Sequence, residues 1–171
     1  MPKSDIPHST FHILRSIAID PGYDRIGIAV FEDTALIHSE CFIPSKGEFP
    51  KRLSAIYHRV NMVIREHKPE SLALETLFFS KNQKTAIKVA EARGIIELAA
   101  AEAGIPVVEY SPQSVKIAVT GTGNAEKSGV MRMVEKLVKL PKGKKLDDEY
   151  DAIALGIAHT VNQGFFRTIH K

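Results

Sequence analysis

The chain has 171 residues, 44% of them hydrophobic and 25% charged, with a net charge of +3 and a pI near 8.9. That is the balance of a soluble globular protein of one domain, and the mild basicity permits an anionic partner without requiring one. A single cysteine, Cys41, excludes an internal disulfide and a cysteine-built metal site, which suits a reducing cytosol.

Residues 1–12 are polar, with Pro2 and Pro7 and no apolar stretch of the signal-peptide kind. They read as a disordered leader before a single domain over 13–163 and a short tail over 164–171. Nothing resembles a transmembrane run, since the apolar stretch 94–104 is interrupted by Glu97 and Glu102. Residues 13–20, 25–31 and 35–43 are expected as three strands in an antiparallel meander. The first runs through Ile17-Ala18-Ile19 into Asp20-Pro21-Gly22. A buried strand does not carry an unpaired charge in the core, because desolvating it costs several kcal/mol. Asp20 therefore belongs where the strand emerges, facing a cleft; the plainer account is that it caps the turn. Gly22 is expected to turn the chain with a positive φ.

From Phe49 the apolar period changes. Phe49, Leu53, Ile56, Tyr57, Val60, Val63 and Ile64 recur at three- and four-residue steps, one face of a helix ending near Lys68-Pro69. Ser71-Leu72-Ala73-Leu74-Glu75 is a second short strand that closes on a carboxylate. Strand, helix, strand implies a crossover, so the two strands lie parallel and bring Asp20 and Glu75 out at one carboxyl edge. Ligand sites gather at that edge in open α/β sheets, although a strand-end surface charge would also explain Glu75. Residues 76–82 form a loop. Its Phe78 and Lys81 suit base stacking and phosphate contact, while Phe79 is expected to fold into the core.

Residues 84–103 form an alanine-rich helix, with either a packing face or a subunit interface as the reason for its small residues. Residues 105–109 are a strand, and Ser111-Pro112 caps and opens a short helix. Asn124 is expected to cap a helix over 125–140. Gly121 and Gly123 lack the spacing of a phosphate-binding loop. Between Lys116 and Lys145 the charge is lopsided: Lys116, Lys127, Arg132, Lys136 and further lysines face only Glu126 and Glu135. That is the nearest thing to a nucleic-acid footprint, and a solvated basic face is its ordinary alternative. The last helix opens with Asp147, Asp148 and Glu149, as suits a helix amino terminus. Asp148 and Asp151 share one face. His159, two turns on, reads as a polar contact within the packed face.

Asp20, Glu75, Asp148 and Asp151 thus converge from two strand ends and one helix start. Four anions gathered without basic partners repel, and a divalent cation removes the conflict. Oxygen-only ligands favour Mg2+, with Mn2+ able to substitute. Two such ions about 3.5–4 Å apart activate water and stabilise a leaving oxygen in phosphodiester hydrolysis.

The chain resembles the RuvC family of Holliday-junction resolvases, within the ribonuclease H-like superfamily. The resemblance rests on Ile19-Asp20-Pro21-Gly22; on Leu74-Glu75 followed by Phe78-Phe79-Ser80-Lys81-Asn82; on Ala92-Arg93-Gly94; on Ala125-Glu126-Lys127-Ser128; and on Asp148-Glu149-Tyr150-Asp151-Ala152. It implies an α/β, ribonuclease H-like fold: a central mixed five-stranded sheet, an antiparallel meander plus parallel strands, flanked by helices. It further implies a cytoplasmic, homodimeric, metal-dependent endonuclease that nicks opposed strands of a four-way DNA junction symmetrically, beside the RuvA–RuvB branch-migration machinery. Asp20, Glu75, Asp148 and Asp151 match the family's catalytic carboxylates. Phe78 matches an aromatic that stacks near the junction centre, Lys116 and Lys127 match DNA contacts, and the alanine-rich helix matches the one at the dimer interface. The position of Asp148 is histidine in some members. The long leader, the short tail and the extra Asp147 depart from the pattern; Asp147 reads as a helix cap.

Three rival readings fit these residues less well. A sugar-kinase-like ATP-binding fold would repeat its unit in a second domain. A decayed DNA-binding module would have lost part of its acidic set. A ribonuclease H would lack the Phe78-to-Asn82 loop and the dimer helix.

Overall fold

The computed structural model of the chain describes residues 13–77 and 83–169. In chain order the elements are β1 (Arg15–Asp20), β2 (Ile26–Glu32), β3 (Ala35–Phe42), α1 (Phe49–His67), β4 (Ser71–Glu75), α2 (Gln83–Glu102), β5 (Val107–Tyr110), α3 (Pro112–Thr120), α4 (Lys127–Leu137) and α5 (Asp147–Ile169). The strands form one sheet in the order β3-β2-β1-β4-β5. β1, β2 and β3 pair antiparallel, while β4 lies parallel to β1 and β5 parallel to β4. This is the mixed sheet that the meander and the crossover predict. α5 runs on to Ile169, into the stretch expected as a tail. Among the described residues no helix is long and apolar enough to cross a membrane.

The central strands are buried on both faces, and the faces differ in size. Ile17, Ile19, Ile28, Val30, Leu72 and Leu74 all face the α1–α2 side. Between them in the sequence, Ala18, Ala29 and Ala73 face α5, α3 and α4. Successive strand residues point to opposite faces, so this alternation makes one face thick and the other thin. α5 uses the thin face to lie close on the sheet, through Ala152, Ile153, Leu155 and Ala158. Each large aliphatic side chain so buried contributes about 1.5–3 kcal/mol of hydrophobic stabilisation.

Local signals explain most element ends. α1 stops because Lys68 takes the left-handed conformation (φ 50°) and donates its N–H to Ile64 at 2.8 Å, with Pro69 next in line. Ser111 caps α3 as expected, its Oγ accepting the Ser114 N–H at 3.0 Å. Asn124 does not cap α4. That helix starts at Lys127 behind Glu126, with no side-chain cap bond. In α2, Ala92, Ala99 and Ala100 are fully buried in the layer shared with α1, so these small residues serve packing. Ile87 and Leu98 of the same helix face outward.

His159 is the fold's buried polar hub. It lies 2.8 Å by Nε2 from Ser71 Oγ and 2.9 Å by Nδ1 from the Tyr110 hydroxyl, bridging α5 to β4 and β5. Gln163 donates to the same Ser71 oxygen at 2.7 Å. Burial pushes the imidazole down to about 4 from its ordinary 6.5. The fold therefore holds His159 neutral, and its stabilising contribution is complete above pH 6.5 and lost as pH falls toward 4. That loss amounts to about 3 kcal/mol. The expected result is that the difference in Tm between wild type and His159→Gln narrows steadily from pH 7 to pH 4.5. A pH-independent difference would contradict the assignment.

Candidate active site

β1 and β4 are parallel neighbours, with Ile19 opposite Leu74 in the ladder. Each strand's last residue is acidic, Asp20 and Glu75, and both leave the sheet at its carboxyl edge. The first turn of α5 lies over the same edge. It is seated there by Gly27, which pairs with Asp20 in the β1–β2 ladder. A Cβ on Gly27 would stand 1.8 Å from the Asp148 carbonyl oxygen, so glycine is what lets the helix start come down onto the strand. Asp148 and Asp151, one turn apart, then share the space above the strand ends.

Three of the carboxylates, Asp20, Glu75 and Asp151, are raised above the ordinary range. Asp20 is pushed up from 3.8 to about 7, first by burial and then by Asp151, Glu75 and Asp148, against a smaller opposing pull from Lys127. Burial, then Asp151, raises Glu75, while Lys116 and Lys127 oppose. Asp151 is raised chiefly by burial, with Lys127 pulling the other way. One cleft is lined by Asp20, Glu75, Thr76 and Pro112, and the adjoining one by Glu75, Lys116, Lys127 and Asp151.

The expectation that these anions stand without basic partners is corrected here. Lys127 Nζ lies 3.0 Å from Asp151 Oδ2 and 3.4 Å from Asp147 Oδ2. Arg25 Nε lies 2.6 Å from Asp148 Oδ2. Lys127 opens α4, where the helix dipole disfavours a cation, so its pairing with the carboxylates explains its position better than helix stability does. Asp147, read from the sequence as a cap, instead extends the acidic cluster toward Lys127.

Among the described residues, no three acidic, histidine or cysteine side chains are gathered into a ready metal cage. The donor set nevertheless fits a hard divalent cation. It is all oxygen, and mutual repulsion strains it. Asp148 Oδ2 is buried against the Arg25 guanidinium, which holds the place that a cation's charge would take.

Phe78 and Lys81 lie outside the described residues. Lys116 reaches the cleft rim, as its influence on Glu75 records. Gly22 does not have the positive φ expected of it. Its need for glycine is spatial, since a Cβ would stand 2.3 Å from the Arg25 carbonyl oxygen. Two arginine pairings have no counterpart in the sequence reading, although Arg93 stands in the Ala92-Arg93-Gly94 motif. Arg25 pairs with Asp148 across most of the chain, which no local pattern announces. Arg93, buried, donates to the Glu75 carbonyl and pairs with Glu97 and Glu109, fixing the end of β4. Its signal was an arginine with a glutamate four residues on. Burial and then nearby Asp148 push the Cys41 thiol up to about 11, away from the reactive thiolate.

The family model described as Crossover junction endodeoxyribonuclease RuvC matches residues 16–159. The chain belongs to the RuvC family. A RuvC from Moorella thermoacetica is 43% identical over 148 residues, covering 84% of this chain and 89% of the relative. One from Brachyspira hyodysenteriae is 42% identical over 165 residues, covering 90% and 98%. Among solved structures, T. thermophilus RuvC in complex with Holliday junction substrate superposes with a TM-score of 0.80 at 32% identity, covering 89% of this chain and 95% of that one. The yeast mitochondrial Holliday junction resolvase, 14% identical with a TM-score of 0.60, shares the fold. The five-stranded mixed sheet and its helices are therefore the RuvC architecture, a ribonuclease H-like one, and the chain is of an endodeoxyribonuclease family.

Proposed function

We propose that this chain resolves four-way DNA junctions in recombination and repair, cutting opposed strands symmetrically with Asp20, Glu75, Asp148 and Asp151 as its catalytic, metal-holding carboxylates. The observation that carries the reading is their gathering, from three separate elements, into one electrostatic field beside Lys116 and Lys127, in a chain of the RuvC family.

Bound among these carboxylates, Mg2+ ions, two in this reading and replaceable by Mn2+, supply Lewis-acid stabilisation and an activated water for phosphodiester hydrolysis. The chain's own part is to hold and orient. Asp20 and Glu75, on rigid strand ends, fix one side of the site. Asp148 and Asp151 close the other side from α5. Lys116 and Lys127 attract the phosphate backbone along the adjoining cleft, with Phe78 and Lys81 as further DNA contacts. The outward face of α2, with Ile87 and Leu98, suits a second copy of the chain, as symmetric cutting requires. The RuvA–RuvB complex as partner and the cytoplasm as compartment complete the proposal, the latter in keeping with a chain of one cysteine.

Lys127→Met is expected to weaken junction binding in chelator and to reduce the slope of log K against log salt by about 1, the signature of one lost phosphate contact. Fluorescence titrations at several salt concentrations check it; an unchanged slope removes Lys127 from the DNA contacts. Paired cutting is tested on a supercoiled plasmid that extrudes a cruciform. Two opposed nicks within one encounter give linear product directly. Accumulation of nicked circles with no linear product would contradict symmetric resolution.

A further inference from the structure

Between Asp148 and Asp151 the first turn of α5 carries a third acidic side chain that the proposed chemistry leaves unused. Glu149 is 6% exposed. A helix turns about 100° per residue, so Glu149 leaves α5 on a different side from its two neighbours. It points into the protein. Ser39 of β3 donates from Oγ to Glu149 Oε1 at 2.7 Å. Lys145, in the segment between α4 and α5, donates from Nζ to the same oxygen at 2.6 Å. The lysine and glutamate side chains are both more than nine-tenths buried. Three stretches of chain thus meet on one carboxylate oxygen.

Stability alone explains such a pair poorly. Taking two charges out of water offsets most of their attraction, and apolar replacements of similar volume often do as well. What a buried, hydrogen-bonded ion pair supplies is direction. The other directed contacts of this turn, Arg25 with Asp148, Lys127 with Asp151 and Tyr150 with Glu135, lie nearer the surface, where such pairs hold less firmly. Gly27 sets how close α5 comes to the sheet, and Ala152, Ile153 and Leu155 present smooth apolar surface. Among the buried contacts of this turn the grip on Glu149 is the one with direction, since His159 anchors α5 more than two turns further along, and it opposes a small rotation of the turn about the helix axis. Such a rotation would swing Asp148 and Asp151 away from Asp20 and Glu75.

We infer that Glu149, gripped by Lys145 and Ser39, is a positioning residue that fixes the rotation of α5 and so aims Asp148 and Asp151. This rests on the proposed role of those two carboxylates. The grip acts at a distance from the chemistry, as the outer partners of metal ligands commonly do, with effects of about 10–100-fold on metal affinity or activity.

The test compares wild type with the double variant Lys145→Met/Glu149→Leu, which removes both buried charges and leaves neither unpaired. Its Tm is expected to stay close to that of wild type. Mn2+ binding, followed by electron paramagnetic resonance without DNA, is expected to weaken about tenfold. Hydrogen exchange of the amides in residues 148–152 is expected to quicken by at least about tenfold, and cutting to fall at limiting Mg2+ and recover largely at high Mg2+. Ser39→Ala, which keeps the ion pair, should show the same pattern at about two- to threefold. A folded double variant with unchanged Mn2+ affinity and unchanged exchange overturns the inference and leaves the pair a packing feature. If the double variant does not fold, Glu149→Gln carries the same readouts, and unchanged Mn2+ affinity in it is equally fatal. The exchange measurement reads the grip whether or not the wild-type chain cuts junctions, so failure of the nuclease reading shows up separately, as wild type that neither binds Mn2+ nor cuts.

Discussion

Asp20→Asn is expected to bind four-way junctions as wild type does and to cut them at least about 1,000-fold more slowly, a loss of about 4 kcal/mol of transition-state stabilisation. The amide matches the carboxyl in shape, so backbone contacts through Lys116 and Lys127 survive, but it offers a cation no charge. The same substitution should stabilise the metal-free protein. Asp20 is raised to about 7 by burial and by three neighbouring carboxylates. Its contribution to stability is therefore complete below pH 3.8 and lost as pH rises through 7, while asparagine loses nothing. At pH 8 in chelator the variant should gain up to about 4 kcal/mol, and at pH 4 almost nothing. Gel shifts, cleavage rates and denaturation at the two pH values check all three. A variant that cuts at the parental rate would remove Asp20 from the site.

Gly27→Ala is the second large effect. The added Cβ would meet the Asp148 carbonyl oxygen at 1.8 Å and its carbon at 2.5 Å, backbone atoms that cannot rotate away. The first turn of α5 must lift, at about 3 kcal/mol, the upper end of ordinary overpacking. Cutting should fall by at least about 100-fold even at temperatures where the variant is folded, because Asp148 and Asp151 lift with the turn. Gly156→Ala is the matched control. Its Cβ would crowd the buried Phe31 ring at 2.2 Å, on the same helix but more than a turn beyond Asp151. It should cost similar stability and leave the folded enzyme cutting at close to the parental rate. Equal activity losses in the two variants would mean that general destabilisation, not the seating of the first turn, is responsible.

The contrast between these glycines shows what the sequence could and could not carry. Strand runs ending in Asp20 and Glu75 were legible, because an apolar run that stops at a carboxylate is a local pattern with one economical explanation. The crossover from β1 to β4 followed from the helix between them. The Ser111 cap was legible because cap and helix are adjacent. Asn124 stands ahead of the observed start: α4 begins at Lys127, which is tied to Asp151, far along the chain. Arg25 with Asp148 and Ser39 with Glu149 are pairings between distant segments, invisible until the sheet order is known. Gly22 was rightly marked as needing glycine, but for its backbone angle rather than for the Arg25 carbonyl beside it. His159 was expected to make a polar contact, yet its partners Ser71 and Tyr110 become neighbours only once β4 and β5 lie side by side.

The measurement that bears most directly on this account is cutting of a synthetic four-way DNA junction beside the matching linear duplex and an RNA–DNA hybrid, each with Mg2+, Mn2+ or chelator. The account predicts paired nicks in opposed strands of the junction alone, with either metal, and none in chelator. Cutting of the hybrid in preference to the junction, or junction cutting that persists in chelator, would contradict it.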